Sequence, residues 1–313
     1  MSHFALTCDP DPVRRNQIHE YLRELAAESD IVYCPNGGNA GDAMIASATY
    51  DLFAETGVSF TLFDPEHFDP KGKTLVYGGG GNLVPLYPSA RTFIERYHRA
   101  VRRLIVLPQT IQGHEDLLAG LGANVDLLTR ETVSYDYVKR VTSGPRVFLA
   151  DDLALSLCPS TYLAKQEGWL RMICRQENSL YRKAKWGVIL AREYSRRKCS
   201  PAAGEVLEAF RIDKERTRKM LPWTNVDVSR LLKNKNLSPL QAACTTQMMF
   251  RFINNYREVQ TDRLHVAIAA ALLGKQVKMY ANNYYKCEAV YQYSLAGRFP
   301  QIQWMGGKNE FQA

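Results

Sequence analysis

Two α/β domains facing each other across a cleft, each built on a parallel sheet covered by helices, are predicted by three features of this sequence. Short apolar, β-prone runs alternate with helical stretches through the first half of the chain. The turns that follow those runs are rich in Gly, Pro and Asn. At 313 residues and 46% hydrophobic content, the chain is long enough to build two cores.

In chain order, strands are expected at Ile31 to Cys34, Val58 to Phe63, Thr74 to Tyr77, Leu104 to Leu107, Val125 to Leu128 and Val147 to Leu149. A helix of small and apolar residues should follow the first of these and run through Phe53. Strands alternating with helices imply a parallel sheet, and ligands bind such sheets at the carboxyl ends of the strands. From about Cys158 to Lys185 the chain becomes helical and basic, with Trp169 and Ile173, and reads as a connector. The domains are therefore expected at residues 1–157 and 158–313. The second opens with Trp186 to Ala191, crosses a polar region near 195–240, and closes with the helix after His265 and a strand from Gln276 to Tyr280.

Forty Lys and Arg against 32 Asp and Glu give a net charge of +8, which favours acidic partners. No nucleic-acid motif accompanies that charge, so nucleic acid is not expected. Seven scattered cysteines, odd in number and without CxxC spacing, suit reduced thiols in a cytoplasmic protein. The sequence shows no signal-type leader and no apolar run of spanning length, so membrane contact is expected only at the surface. His19, His67, His98 and His114 have no metal-ligand spacing, and no metal site is expected.

The candidate chemistry falls on the turns. Gly37-Gly38-Asn39-Ala40-Gly41-Asp42 sits between a strand and a helix, where glycine lets backbone approach a ligand; the plainer reading is a turn capped by Asp42. It matches neither GxGxxG nor GxxxxGK[ST]. Gly78-Gly79-Gly80-Gly81-Asn82 follows a clear strand, and four successive glycines carry a cost in chain entropy that suggests room kept for a ligand. Gln109 and Thr110 end the next strand and could donate hydrogen bonds to a polyol or phosphate. Arg130 stands on the same rim, free for an anion or else paired with Glu131 or Asp152. Asp151-Asp152 reads as capping or salt bridging rather than catalysis. Near the C-terminus, Arg263 and His265 precede a small-residue run through Gly274, and they converge only if a helix begins near His265. Lys286, past the last strand, is available to an anion.

Taken in order, Gly38 to Asp42, Gly78 to Asn82, Leu107-Pro108-Gln109-Thr110, Arg130-Glu131 with Ser134, and Arg263-Leu264-His265 resemble the polysaccharide pyruvyltransferase family. The resemblance spans roughly residues 31 to 290 and rests on the series rather than on any one motif. It implies two Rossmann-like domains facing a cleft, as in GT-B glycosyltransferases, with the acceptor on the first domain and the donor on the second. It also implies transfer of pyruvate from phosphoenolpyruvate to sugar hydroxyls as a ketal, with no further cofactor. On that reading Arg130, Arg263 and His265 form the donor pocket, with His265 the acid and Asp42 the base. Asn39, Gly79, Gly80, Asn82, Gln109 and Lys286 complete the substrate-binding set. The acceptor could be lipid-linked, with the connector lying on anionic lipid. Two rival readings stay open: a GT-B-type glycosyltransferase using a nucleotide sugar, and a non-catalytic anion-binding protein.

Overall fold

A computed structural model describes residues 12–164, 206–231 and 237–306. The expected strand at Trp186 to Ala191 and most of the connector, with Trp169 and Ile173, lie outside the described residues.

The first half is a parallel sheet. Strands β1 (Ile31–Cys34), β2 (Thr61–Leu62), β3 (Thr74–Tyr77), β5 (Arg103–Ile111), β6 (Val125–Thr129) and β7 (Arg146–Leu149) lie in the order β2-β1-β3-β5-β6-β7. Register is fixed by pairs such as Val32 with Leu75 and Leu104 with Val125. β3 and β6 are buried along their whole length, as strands covered on both faces must be. Two expectations shift. The second strand shortens to Thr61–Leu62, and the glycine run is not all loop: Gly80–Leu83 forms a short strand, β4, paired with β5. That pairing carries β5 past Pro108, with an irregularity between Val106 and Gln109.

The second half holds a four-stranded parallel sheet, β8 (Val206–Glu208), β9 (Glu258–Thr261), β10 (Gln276–Met279) and β11 (Ile302–Trp304), in the order β11-β10-β9-β8. Helices α1 (Pro12–Ala26), α2 (Ala40–Thr56), α3 (Ser89–Tyr97), α4 (Glu115–Ala119) and α5 (Thr132–Val141) belong to the first half. They are followed by α6 (Pro159–Leu163), α7 (Val228–Leu231), α8 (Pro239–Asn254), α9 (Leu264–Leu272) and α10 (Lys286–Val290).

The pivot between the sheets is α2. Its sequence is apolar or small on nearly every side as far as Thr49, so it is buried as a central helix and exposes only Asp51, Ala54 and Glu55 near its end. Ala43 and Ala46 let α8 approach closely, and the Ser47 and Thr246 hydroxyls meet at 2.9 Å. One cluster of buried side chains therefore runs from Tyr33, Met44 and Leu107 through Met248 and Ile268 to Val277 and Ile302. A second cluster, including Leu75, Ile94, Leu118 and Val138, lies under α3, α4 and α5 on the far face of the first sheet. Among the described residues no helix is long and apolar enough to cross a membrane.

Candidate functional site

A pocket of about 400 Å³ opens at the carboxyl ends of the strands, lined from both sheets. The first half contributes Asn36 to Asn39, Asp42, Gly81, Asn82, Tyr87, Ser89 and Arg130. Its other side is formed by Arg211 to Glu215 apart from Ile212, then Ser229, Arg230, Arg263 to His265, and Lys286. Cations outnumber carboxylates around it, so the pocket favours an anion.

The turn after β1 is shaped by a reciprocal cap. Asn39 Oδ1 accepts from the Gly41 N–H at 2.8 Å, and Asp42 Oδ2 accepts from the Asn39 N–H at 2.7 Å. Capping and pocket lining are thus combined in one carboxylate. Burial pushes the Asp42 carboxyl up, against the opposing influence of His265, the Asn39 N–H, Lys286 and Arg130. The small residues here make room for side chains. A Cβ on Gly38 would lie 2.0 Å from Asp42 Oδ2, and one on Gly41 would lie 2.3 Å from His265 Nδ1.

His265 reaches that position because α9 begins at Leu264, with Arg263 as an extended N-cap residue. Both side chains consequently face the pocket. His265 Nε2 lies 3.2 Å from Asp152 Oδ2, which also accepts from Arg130 Nη1 at 2.7 Å. Arg130 and Asp152 are each 1% exposed, so this is a desolvated pair. Burial alone would push the Asp152 carboxyl up; His265 and Arg130 prevail and hold it well below the carboxylate range. Arg130 Nε donates to Thr110 Oγ1 at 2.9 Å, and Nη2 lies beside Gly81. Arg263 is held the same way: its Nε donates to Asp227 Oδ1 at 2.9 Å, and its Nη2 is shared by Asp227 and Asp213. Each guanidinium is fixed by carboxylate on one side, which sets its position for a ligand on the other.

Glu215 organises the opposite wall. It accepts from Lys286 Nζ at 2.8 Å, Asn282 Nδ2 at 3.0 Å and the Tyr87 hydroxyl, and pairs with Arg211 at 2.8 Å. Burial would raise its carboxyl, yet Lys286 and Arg211 hold it down from 4.5 to about 2. A pKa depressed by folding gives stability that is fully present above about pH 4.5 and is lost as pH falls toward 2. By linkage that contribution is roughly 3 kcal/mol. Glu215→Gln should therefore lower the unfolding free energy at neutral pH by at least about that much and flatten the acid limb, as denaturant melts across this pH range would show.

Of the residues expected from sequence, His265, Asp42, Arg130, Arg263, Asn39, Asn82 and Lys286 line the pocket. Gly79, Gly80 and Gln109 do not. Gln109 is fully buried behind the wall, where its Nε2 donates to the Gly78 carbonyl at 2.9 Å. Gly79 packs against the Pro108 carbonyl, and Gly80 adopts φ 147° beside the Asn36 amide. They support the wall rather than form it. Sequence reasoning missed Asn36, Tyr87, Ser89, Ser229 and Arg230, and Arg211, Asp213, Lys214 and Glu215; Gly81 lay within the glycine run it singled out, and the Arg130–Asp152 pair was one of the alternatives it left open, without His265 as a third member. The signal available for Arg211 was its place directly after the apolar run Val206 to Phe210, the position where strand-end ligands sit. Among the described residues no cluster of three or more His, Cys, Asp or Glu could hold a metal ion.

Fold and site together define an α/β protein with a cation-lined, anion-favouring pocket at the strand ends, a histidine and a carboxylate within it. Residues 39–284 match the model of the polysaccharide pyruvyl transferase family. The chain belongs to that family. It is 26% identical over 298 residues to a Bacillus subtilis (strain 168) protein provisionally named as the pyruvyl transferase EpsO, with 87% of each chain covered. It is also similar to the crystal structure of KP1_0663, a functionally uncharacterised protein of Klebsiella pneumoniae. There the TM-score is 0.74 and the identity 30%, covering 94% of this chain and 98% of the other.

Proposed function

We propose that this chain transfers pyruvate from phosphoenolpyruvate to two hydroxyls of a sugar as a ketal, in exopolysaccharide or cell-surface glycan synthesis. The observation that carries this reading is the convergence of Arg130, Arg263, Lys286 and His265 in one pocket, with the Asp42 carboxylate beside the imidazole. Phosphoenolpyruvate bears carboxylate and phosphate on one carbon, so it needs paired donors fixed in advance. Arg130 and Arg263, each anchored by carboxylate, have that property.

In this mechanism His265 protonates the methylene carbon of the donor, creating an oxocarbenium-like centre at the carbon that carries phosphate. One sugar hydroxyl attacks that carbon and gives its proton to Asp42, whose raised basicity suits the task. A second hydroxyl then displaces inorganic phosphate and closes the ketal, while the arginines and Lys286 stabilise the departing anion. Donor plus two hydroxyls gives ketal plus phosphate, a balance that calls for no further cofactor. Asp152 holds the imidazole and Arg130 in fixed relation, a positioning role.

We further propose that the two sheets correspond to two Rossmann-like domains in a GT-B-like arrangement, residues 1–157 carrying the acceptor and 158–313 the donor. The division of chemistry along the pocket supports this: the amides and glycines come from the first half, whereas every lining cation except Arg130 comes from the second. The chain would work in the cytoplasm, meeting a lipid-linked acceptor at the inner face of the membrane.

The test is incubation with phosphoenolpyruvate and candidate glycans, following inorganic phosphate and the mass of the glycan. Acceptor-dependent phosphate release with a pyruvyl group gained by the glycan is expected; phosphate release that leaves the glycan unchanged contradicts the reading. Gly81 offers a sharper check on the donor side. An added methyl would lie 2.6 Å from Arg130 Nη2 and 3.2 Å from Lys286 Cδ. Gly81→Ala should therefore raise the KM for phosphoenolpyruvate about tenfold, the loss of roughly one charge-assisted hydrogen bond, with the acceptor KM little changed.

A further inference from the structure

The segment from Ala209 to Asp227, between β8 and α7, faces two ways. Its inward side supplies Arg211, Asp213, Lys214 and Glu215 to the pocket. Its outward side carries the two most exposed large apolar side chains among the described residues, Met220 at 86% and Trp223 at 79%. Exposed apolar groups of this size, close together in sequence, cost solvation unless something covers them.

Charge in this segment is sorted by burial and pairing. Its three carboxylates are all spent inward: Glu215 on Lys286 and Arg211, Asp227 on Arg263, and Asp213 on Arg211 and Arg263. No Asp or Glu occurs from Arg216 to Val226, whereas Arg216, Arg218 and Lys219 do. Arg216 and Lys219 are exposed, and Arg218 lies over the rings of Phe210 and Tyr280 at 3.8 and 4.6 Å, bracing the segment against the second sheet. Arg230, at the pocket mouth, is exposed as well. The exposed side chains of residues 216–226 thus include a tryptophan, a methionine and two cations, with no carboxylate among them.

We propose that this surface docks on an anionic lipid bilayer, with Met220 and Trp223 entering the headgroup region and Arg216, Lys219 and Arg230 facing acidic headgroups. A positive field attracts the acidic leaflet, and a tryptophan ring suits the boundary between headgroup and acyl chain. A sugar platform would account for Trp223 but not for Met220 or the one-sided charge. The inference rests on the proposed function and names the surface on which its membrane contact would rest; Arg230, exposed and lining the pocket, links the two.

The test reads lipid binding without activity, so its failure leaves pyruvyl transfer untouched. The full chain is sedimented with vesicles of phosphatidylglycerol mixed into phosphatidylcholine, and with phosphatidylcholine alone. Partition should be at least tenfold greater on the anionic vesicles and should fall with added salt. Lys219→Glu should lower it about tenfold or more, since each cation near such a surface contributes roughly fivefold. Trp223→Ser with Met220→Ser should lower it comparably, and thermal melts matching the wild type show that the variants are folded. Equal partition on both vesicle types, or variants that partition like wild type, would overturn the proposal. So would a Trp223→Ser defect confined to the KM for a soluble glycan, which would make the ring a sugar platform.

Discussion

His265→Ala should lower turnover about a thousandfold, roughly 4 kcal/mol of transition-state stabilisation, while phosphoenolpyruvate still binds within several-fold of wild type. The asymmetry follows from the site. Arg130, Arg263 and Lys286 remain in place through Asp152, Asp227 and Glu215, so the anion keeps its partners. Only proton delivery to carbon is removed. Pre-steady-state measurement of phosphate release, beside equilibrium donor binding, separates the two. A purely binding protein would show the opposite pattern, a change in affinity with no turnover to lose.

Gly41→Ala should cost about a hundredfold in turnover, although it removes no polar group. The position lies in the first turn of α2, where alanine would favour the helix by about 1 kcal/mol. Yet the new methyl would meet His265 Nδ1 at 2.3 Å and Cγ at 2.7 Å, so the imidazole must move away from Asp152. Misplacement of a reacting group on the scale of an ångström carries a penalty of that order. Overpacking costs of about 1–3 kcal/mol would be offset in part by the propensity gain, leaving the melting temperature little altered. Adding His265→Ala to this variant should bring turnover to the level of His265→Ala alone, because both changes act on one group. Independent, multiplying losses would show that Gly41 matters for another reason.

These residues also show what can be read from sequence. The strands of the first half were legible because β3 and β6, buried on both faces, are mostly apolar runs, broken in β6 only by the ion-paired Asp126, with glycine or polar turns after them. The convergence of Arg263 and His265 was conditional on where the helix starts, and the start at Leu264 satisfies the condition. Gly41 was visible as part of a turn, but its reason is an imidazole that arrives from more than 200 residues away. Asp152 read as a capping or salt-bridging residue, and it does both, accepting from the Ala154 N–H at 3.0 Å and pairing with Arg130. That His265 shares the same carboxylate oxygen depends on the ends of β6 and β7 meeting the start of α9, which no local pattern encodes. Arg211 to Glu215 was illegible for the opposite reason. A run of alternating charge reads as a solvated surface, and only tertiary pairing of Glu215 with Lys286 and Tyr87, and of Asp213 with Arg263, accompanies the burial of Arg211 and Glu215. The glycines at 79 and 80 were assigned to the ligand, whereas backbone and the Asn36 amide occupy the space they leave.

The donor assignment is tested most directly by calorimetric titration of the purified chain with phosphoenolpyruvate, beside uridine diphosphate, repeated on Arg130→Lys. The variant keeps the charge beside Asp152 but loses the Nη2 group next to Gly81, so its effect isolates the fork. Saturable binding of phosphoenolpyruvate to the wild type, weakened about tenfold or more in the variant and not matched by the nucleotide, is the predicted result. Binding of the nucleotide with no binding of phosphoenolpyruvate would contradict it and would make the pocket that of a nucleotide-sugar glycosyltransferase.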